Sequence, residues 1–176
     1  MFRTERFVQD CLDASREGEA HLNVRPILER ALADPAAILA GLGEPRSGLL
    51  APLYRSDSLT ILNVVWKPGA VIRPHNHQTW AVIGVYAGRE DNIFWRRVGA
   101  GPRGIEAAGA RSLLAGDIAP LGKDIIHSVV NPLGRLTGAI HIYGGDFFRI
   151  ERSEWDDETL SEQPYDQEKT RALFAD

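Results

Sequence analysis

The stretch from Arg73 to Glu90, RPHNHQTWAVIGVYAGRE, places two histidines one residue apart, directly before an apolar run. Side chains alternate between two faces along a β-strand, so His75 and His77 are expected to project to the same side. Two imidazoles on one face can hold a metal ion, but they can also be two polar residues on an exposed strand. The rest of the chain has to decide between these interpretations.

The regions on either side of this stretch differ in texture. Residues 1–47 show helical periodicity, with Thr4 as a candidate N-cap and a break before Pro35. Residues 48–150 contain seven or eight short runs rich in β-branched residues and separated by glycine, which predicts a mainly β sandwich or barrel. Residues 151–176 are polar and predict a loop and a short terminal helix. With 176 residues and no linker, the chain is expected to form a single domain, with its N-terminal helices packed outside the barrel.

Two further histidines of the β region add to the first pair. His127 lies in DIIHSVVN, where Ile125 and Val129 share its face, so its side chain is expected to point inward. A buried imidazole needs a polar partner. Either it completes a metal site with His75 and His77, or it hydrogen-bonds to the backbone. His141 is the other histidine of this region, whereas His21 lies far away, in the helical part.

Composition excludes several classes of function. The net charge is −4 and the charges are interspersed, which argues against a nucleic-acid partner or a polybasic membrane surface. Cys11 is the single cysteine, so there is no CxxC site. No run approaches about 20 apolar residues, and the first residues do not resemble a signal peptide. We therefore expect a cytoplasmic protein without membrane contact.

A glycine pattern that resembles a dinucleotide fingerprint has a simpler interpretation. Gly99, Gly101 and Gly104 satisfy GxGxxG, but that motif requires a following helix. Pro102 and the glycine-broken segment after it favour a hairpin loop instead.

The histidines lie in segments that resemble the two motifs of the cupin family. The first is formed by Gly69, His75-x-His77 and Gly88, and the second is approximated by Gly116, Pro120, Gly122, His127 and Asn131. The resemblance implies a double-stranded β-helix in which His75, His77 and His127 bind one metal ion. Cupins usually carry a glutamate ligand shortly after the HxH pair, and residues 78–82 contain no carboxylate.

An all-histidine site of this kind is similar to that of the thiol dioxygenases, such as cysteine dioxygenase. The segment around His141-x-Tyr143 resembles their Ser-His-Tyr relay, with Ala139 in the place of the serine. The resemblance implies Fe(II), a small thiol substrate that is oxidised by O2 to its sulfinic acid, and catalytic roles for Tyr143 and His141. The placement of Arg55 resembles that of the family's carboxylate-binding arginine.

Several alternatives stay open at this stage. Arg73, Arg96 and Arg97 are rivals of Arg55 for the substrate carboxylate, and Trp80 and Trp95 could line a pocket or fill the core. Other cupins with three histidines are isomerases or dioxygenases that cleave carbon–carbon bonds, and a non-enzymatic metal-binding cupin is a third class. A fourth ligand from His141 would favour that last class. The sequence does not decide which metal is bound, which thiol is the substrate or whether the protein forms a homodimer.

Overall fold

A computed structural model describes residues 2–16, 18–99 and 104–175. Three helices come first: α1 (Thr4–Ser15), α2 (Ala20–Leu32) and α3 (Pro35–Leu42). The predicted break before Pro35 is confirmed, because Asp34 caps α3 through the backbone N–H of Ala37, with Pro35 at the first helical position. The N-cap prediction for Thr4 is wrong. Arg3 occupies that position without a side-chain bond, and Thr4 is the first helical residue.

The described residues then form eleven strands and one more helix, α4 (Gln167–Ala172). The strands, in chain order, are β1 (Leu49–Arg55), β2 (Leu59–Trp66), β3 (Val71–Asn76), β4 (Ala81–Ala87), β5 (Arg89–Arg97), β6 (Ile105–Leu114), β7 (Ile118–Leu121), β8 (Ile126–Val130), β9 (Thr137–Gly144), β10 (Ser153–Trp155) and β11 (Glu162–Pro164).

The pairing of the eight middle strands is nested. β5 pairs with β6, β4 with β7, β3 with β8 and β2 with β9, all antiparallel. Such nesting is what one long hairpin makes when it rolls up on itself. It yields two sheets, with the orders β1-β2-β9-β4-β7 and β11-β10-β3-β8-β5-β6. The predicted double-stranded β-helix is therefore confirmed.

The first of these sheets is covered on both faces. Strands β2 and β9 are buried along their whole length, because the barrel interior lies on one side and the three helices on the other. Gly84 of β4 allows this close approach, since a Cβ there would lie 2.5 Å from Leu32 of α2. The predicted packing of the helices outside the barrel is confirmed, and the lack of a side chain at Gly84 lets α2 lie directly on β4.

The C-terminal segment closes one end of the barrel. β10 extends the second sheet through pairing of Glu154 with His75, and Phe174 packs on Trp66 with ring centroids 5.1 Å apart. The sequence predicted a loop and a helix here, and the two short strands are an addition. None of the helices in the described ranges is long and apolar enough to cross a membrane.

The glycine pattern at residues 99–104 lies between β5 and β6. These strands pair antiparallel, so the segment that a dinucleotide fold would make helical is a strand. Residues 100–103 of the expected hairpin loop lie outside the described residues.

Candidate metal centre and the cavity beside it

Three buried imidazoles meet inside the barrel. His75 is on β3, His127 is opposite it on β8 in direct register, and His77 follows the end of β3. Their ring centroids are 4.7–5.2 Å apart, and their ligand nitrogens lie within 4.8 Å of one another. We call His75, His77 and His127 the histidine cluster. The structure brings the three predicted ligands together, and His141 is not part of the cluster.

The backbone and a neighbouring amide orient two of these rings. Nδ1 of His75 lies 3.0 Å from the carbonyl oxygen of Arg73, an atom that can only accept, so this nitrogen carries the hydrogen. Nδ1 of His127 lies 2.9 Å from Oδ1 of Asn92 and donates in the same way. Each ring therefore turns an unprotonated Nε2 toward the cluster, which is the usual orientation of a ligating histidine.

Burial keeps the cluster uncharged at neutral pH. Loss of solvation lowers the pKa of His75 to about 4 and the pKa values of His77 and His127 well below their ordinary value. Neutral imidazole is the form that binds metals, so the site is in its binding state without having to lose protons.

The distances fit a metal ion. The Nε2 atoms of His127 and His77 are 3.2 Å apart. For metal–nitrogen bonds of about 2.1 Å, the edge between two ligands is about 3.0 Å in an octahedron and about 3.4 Å in a tetrahedron. The separation lies between these values, so the three side chains can hold one divalent transition-metal ion.

Next to the cluster, β9 contributes a hydrogen-bonded pair. Nδ1 of His141 lies 2.8 Å from the hydroxyl oxygen of Tyr143, and the Tyr143 ring stands edge-on to His77 at 5.1 Å. Alternation along β9 places both side chains in the interior, as predicted. On its far side, Nε2 of His141 faces Glu90 at 3.5 Å. Burial raises the pKa of Tyr143, which keeps the phenol protonated.

The histidine cluster, His141 and Tyr143 line one cavity of about 40 Å³. Its other polar walls come from the C-terminal segment, and they are Arg152, Tyr165, Gln167, Thr170 and Arg171. The described lining contains no aspartate or glutamate. A cavity of this size suits a small molecule.

Arg152 is the buried cation of this cavity. It is 9% exposed, and its guanidinium lies 4.0 Å from the ring centroids of both Phe147 and Tyr165. One Nη1 hydrogen goes to the carbonyl of Phe147, whereas Nε is buried without a partner. Arg152 forms no ion pair with any other described residue. A buried cation of this kind favours an anionic ligand.

Arg55 lies elsewhere. Its guanidinium binds both carboxylate oxygens of Asp146, at 2.9 and 3.0 Å, and its side chain is 42% exposed. It contacts the outer side of Phe148 and does not line the cavity. The structure therefore does not bring Arg55 to the cluster, because Asp146 already satisfies it.

The three rival arginines are also engaged by other residues. They pair with acidic residues and lie away from the cavity lining: Arg73 with Glu154 and Asp157, Arg96 with Glu106, and Arg97 with Glu162. Trp80 and Trp95 do not line the cavity either, and Trp95 donates its indole N–H to Ser128.

Sequence reasoning missed three residues of this site. They are Arg152, Glu90 and Asn92, and none belongs to a motif with a fixed spacing. Glu90 and Asn92 are two residues apart on β5, so they share the interior face, and both are almost fully buried. A polar pair at i and i+2 in a strand was a signal that could have found them.

No protein-family model matches the chain. Among solved structures, a Bacillus halodurans protein aligns with a TM-score of 0.50 and 16% identity over 58% of this chain and 74% of its own. An RmlC-like cupin family protein with a double-stranded β-helix fold, from Methanocaldococcus jannaschii, aligns with a TM-score of 0.49 and 9% identity over 61% and 88%. KdgF from a Halomonas species aligns with a TM-score of 0.45 and 18% identity over 55% and 76%. At these identities the likeness concerns the fold.

Proposed function

We propose that this protein is a non-haem iron thiol dioxygenase that converts a small carboxylate-bearing thiol to its sulfinic acid with O2. The observation that carries the proposal is the content of one cavity. Three neutral imidazoles able to hold a metal ion share it with a buried arginine that has no acidic partner among the described residues.

Charge balance leads from this cavity to the substrate. A divalent ion on three neutral ligands keeps its full charge, and Arg152 adds another positive charge. The described lining offers no carboxylate to balance either one. A molecule with a thiolate at one end and a carboxylate at the other brings one negative charge to the metal and one to Arg152. Guanidinium binds a carboxylate well because its planar N–H groups match the two oxygens.

The chemistry needs no further reductant. In R–SH + O2 → R–SO2H, sulfur loses four electrons and dioxygen gains four, and both oxygen atoms end on sulfur. Iron, when bound, supplies the place where a thiolate and dioxygen react, and imidazole is a ligand that iron accepts. Arg152 fixes the far end of the substrate, and Tyr143 presents its hydroxyl to the reacting end.

The side chains of Phe147, Phe148 and Trp66 belong to the apolar part of the wall. They exclude water and so strengthen the contacts that the charged substrate makes with the protein. The small cavity, of about 40 Å³, favours small thiols.

The decisive experiment loads the protein with Fe(II) under anaerobic conditions and measures oxygen uptake with 3-mercaptopropionate, cysteine and cysteamine. We expect one O2 consumed for each sulfinate formed, with the product heavier than the thiol by two oxygen atoms. Iron-loaded protein that leaves every thiol unchanged would contradict the proposal and favour an isomerase, a carbon–carbon dioxygenase or a non-enzymatic role.

A further inference from the structure

Glu90 is a buried carboxylate whose nearest polar partners are few. It is fully buried on β5, and Oε1 accepts the indole N–H of Trp66 at 2.5 Å. The same oxygen lies 3.5 Å from Nε2 of His141, and this nitrogen and Oε2 are both buried without another hydrogen-bond partner. Among the described residues, no arginine or lysine pairs with it. Its charge therefore has to be balanced by His141 or removed by a proton.

Two forms of the Glu90–His141 pair are electrically neutral and leave no hydrogen of the pair without an acceptor. In one, a carboxylate faces an imidazolium. In the other, the carboxylic acid donates its hydrogen to Nε2 of a neutral imidazole. A carboxylic acid with its hydrogen on Oε2 is neutral too, but that hydrogen would have no acceptor, because Oε2 is buried without a partner. A carboxylate beside a neutral imidazole leaves an unbalanced buried charge.

The first two forms have the same consequence for Tyr143. An imidazolium has hydrogens on both nitrogens. An imidazole that accepts at Nε2 must have its hydrogen on Nδ1. In either form Nδ1 of His141 donates to the hydroxyl oxygen of Tyr143, 2.8 Å away. The phenolic hydrogen then cannot point to His141, and it turns toward the cavity that Tyr143 lines.

We propose that Glu90 is a positioning residue that, by sharing one proton with His141, makes Tyr143 a hydrogen-bond donor to the ligand in the cavity. Its role in turnover rests on the proposed function, whereas the direction of the hydrogen bonds does not. Ala139 stands where the resemblance expects a serine, and it pairs with Val64 and Val85 in the sheet. Its methyl group cannot form a hydrogen bond with His141. Glu90 reaches the relay from another strand.

Glu90→Gln tests the direction of these bonds with almost no change in shape. The amide that replaces the carboxylate must keep its carbonyl oxygen toward Trp66, because the indole N–H needs an acceptor. That same oxygen faces Nε2 of His141, so a neutral imidazole there will carry its hydrogen on Nε2. Nδ1 becomes an acceptor, and the phenolic hydrogen of Tyr143 turns away from the cavity.

The first readout is nitrogen NMR of protein labelled with 15N-histidine, both metal-free and loaded with Zn(II). We expect a protonated Nδ1 for His141 in the native protein and an unprotonated Nδ1 in Glu90→Gln, with a His141→Asn spectrum to assign the signals. Glu154→Gln is the matched control, since Glu154 is equally buried but binds Arg73 and Gln163. It should leave the His141 signals unchanged.

The second readout is kinetic. For a thiol that the native protein oxidises, kcat of Glu90→Gln should fall about 10- to 100-fold at nearly constant KM. This factor corresponds to the loss of one charge-assisted hydrogen bond. The kcat of Tyr143→Phe should fall by a similar factor. The kcat of the double variant should fall no further, because both changes remove the same donor, the Tyr143 hydroxyl. Tyr86→Phe is the control for that variant, since it deletes another buried hydroxyl, bonded to Asn63.

An unprotonated Nδ1 in native His141 would overturn the inference, and this needs no variant to fold. An unchanged His141 spectrum in folded Glu90→Gln would also overturn it. Failure of the native, iron-loaded protein to oxidise any thiol would contradict the proposed function and leave the spectroscopic result standing.

Discussion

Replacement of Arg152 by methionine separates the two ends of the proposed substrate. The side chain lies between the rings of Phe147 and Tyr165, each 4.0 Å from the guanidinium. Methionine has a similar length and packs well against aromatic rings, so the cavity wall should keep its shape. Loss of a buried, unpaired cation should not destabilise the fold. The change therefore removes the charge and the N–H donors selectively.

The size of the effect follows from the contact. Arg152 is almost fully buried and has no acidic partner among the described residues, so its guanidinium is available to the carboxylate of a ligand. Hydrogen bonds to charged groups contribute about 1.5–3 kcal/mol. Since about 1.36 kcal/mol is tenfold, KM for 3-mercaptopropionate should rise about 10- to 100-fold in Arg152→Met. The KM of Arg152→Lys for this thiol should lie between the values of the native protein and Arg152→Met.

The substrate panel shows which end has been affected. Cysteamine has no carboxylate, so its KM should not change in Arg152→Met. The described cavity lining has no acid to receive an ammonium group. We therefore expect native protein to prefer 3-mercaptopropionate, which lacks an amine, to cysteine, and to use cysteamine least well.

Arg55→Met is the matched control. Arg55 is engaged by Asp146 outside the cavity, so its loss should leave KM of every thiol unchanged. An unchanged KM for 3-mercaptopropionate in Arg152→Met would refute the reasoning. A rise in Arg55→Met instead would return the carboxylate site to the residue that the sequence suggested.

Four further outcomes are expected. Alanine at His75, His77 or His127 should sharply reduce bound metal, and normal stoichiometry by elemental analysis in all three variants would remove the site. Burial lowers the pKa of His75 from 6.5 to about 4, so the unfolded chain binds the extra proton first, below its pKa of about 6.5. The free energy of unfolding of metal-free protein should therefore decrease as pH falls from 7 toward 4, by about 3 kcal/mol from this residue, and urea titrations of His75→Asn should show a flatter profile. Burial also raises the pKa of Cys11 to about 12, so a thiol reagent should label it in urea and not in the native protein. Gly84→Ala would bring a methyl group to 2.5 Å from Leu32 and should lower stability by about 1–3 kcal/mol in the same titrations.

The strand segments and the inward direction of the histidines could be predicted because both depend on local periodicity. A period of two places His141 and Tyr143 on one face wherever the strand lies. The buried position of His127 followed from its apolar neighbour Val129, although Ile125, expected on the same face, is 37% exposed because it precedes β8. The N-cap prediction for Thr4 was wrong because the exact start of a helix does not follow from periodicity. In the structure, the residue at the cap position is Arg3, and it makes no side-chain capping hydrogen bond.

The charged residues of the site could not be predicted in the same way. Arg55 and Arg152 are the same residue type, and the residues next to them in the sequence do not indicate which of the two is buried. Asp146 satisfies Arg55 across 91 positions of sequence, while the C-terminal segment folds Arg152 into the barrel mouth. Pairing of this kind depends on contacts between distant segments.

The sequence by itself determined that the chain forms a barrel of short strands and that His75, His77 and His127 are available as ligands, because period and residue type are local properties. The tertiary structure decided the rest. Rolling the hairpin up puts His127 opposite His75, brings Glu90 to His141 and leaves Arg152 buried without an acid among the described residues. A charge is strong or weak according to its solvent and its partners, and both are decided only when distant strands meet.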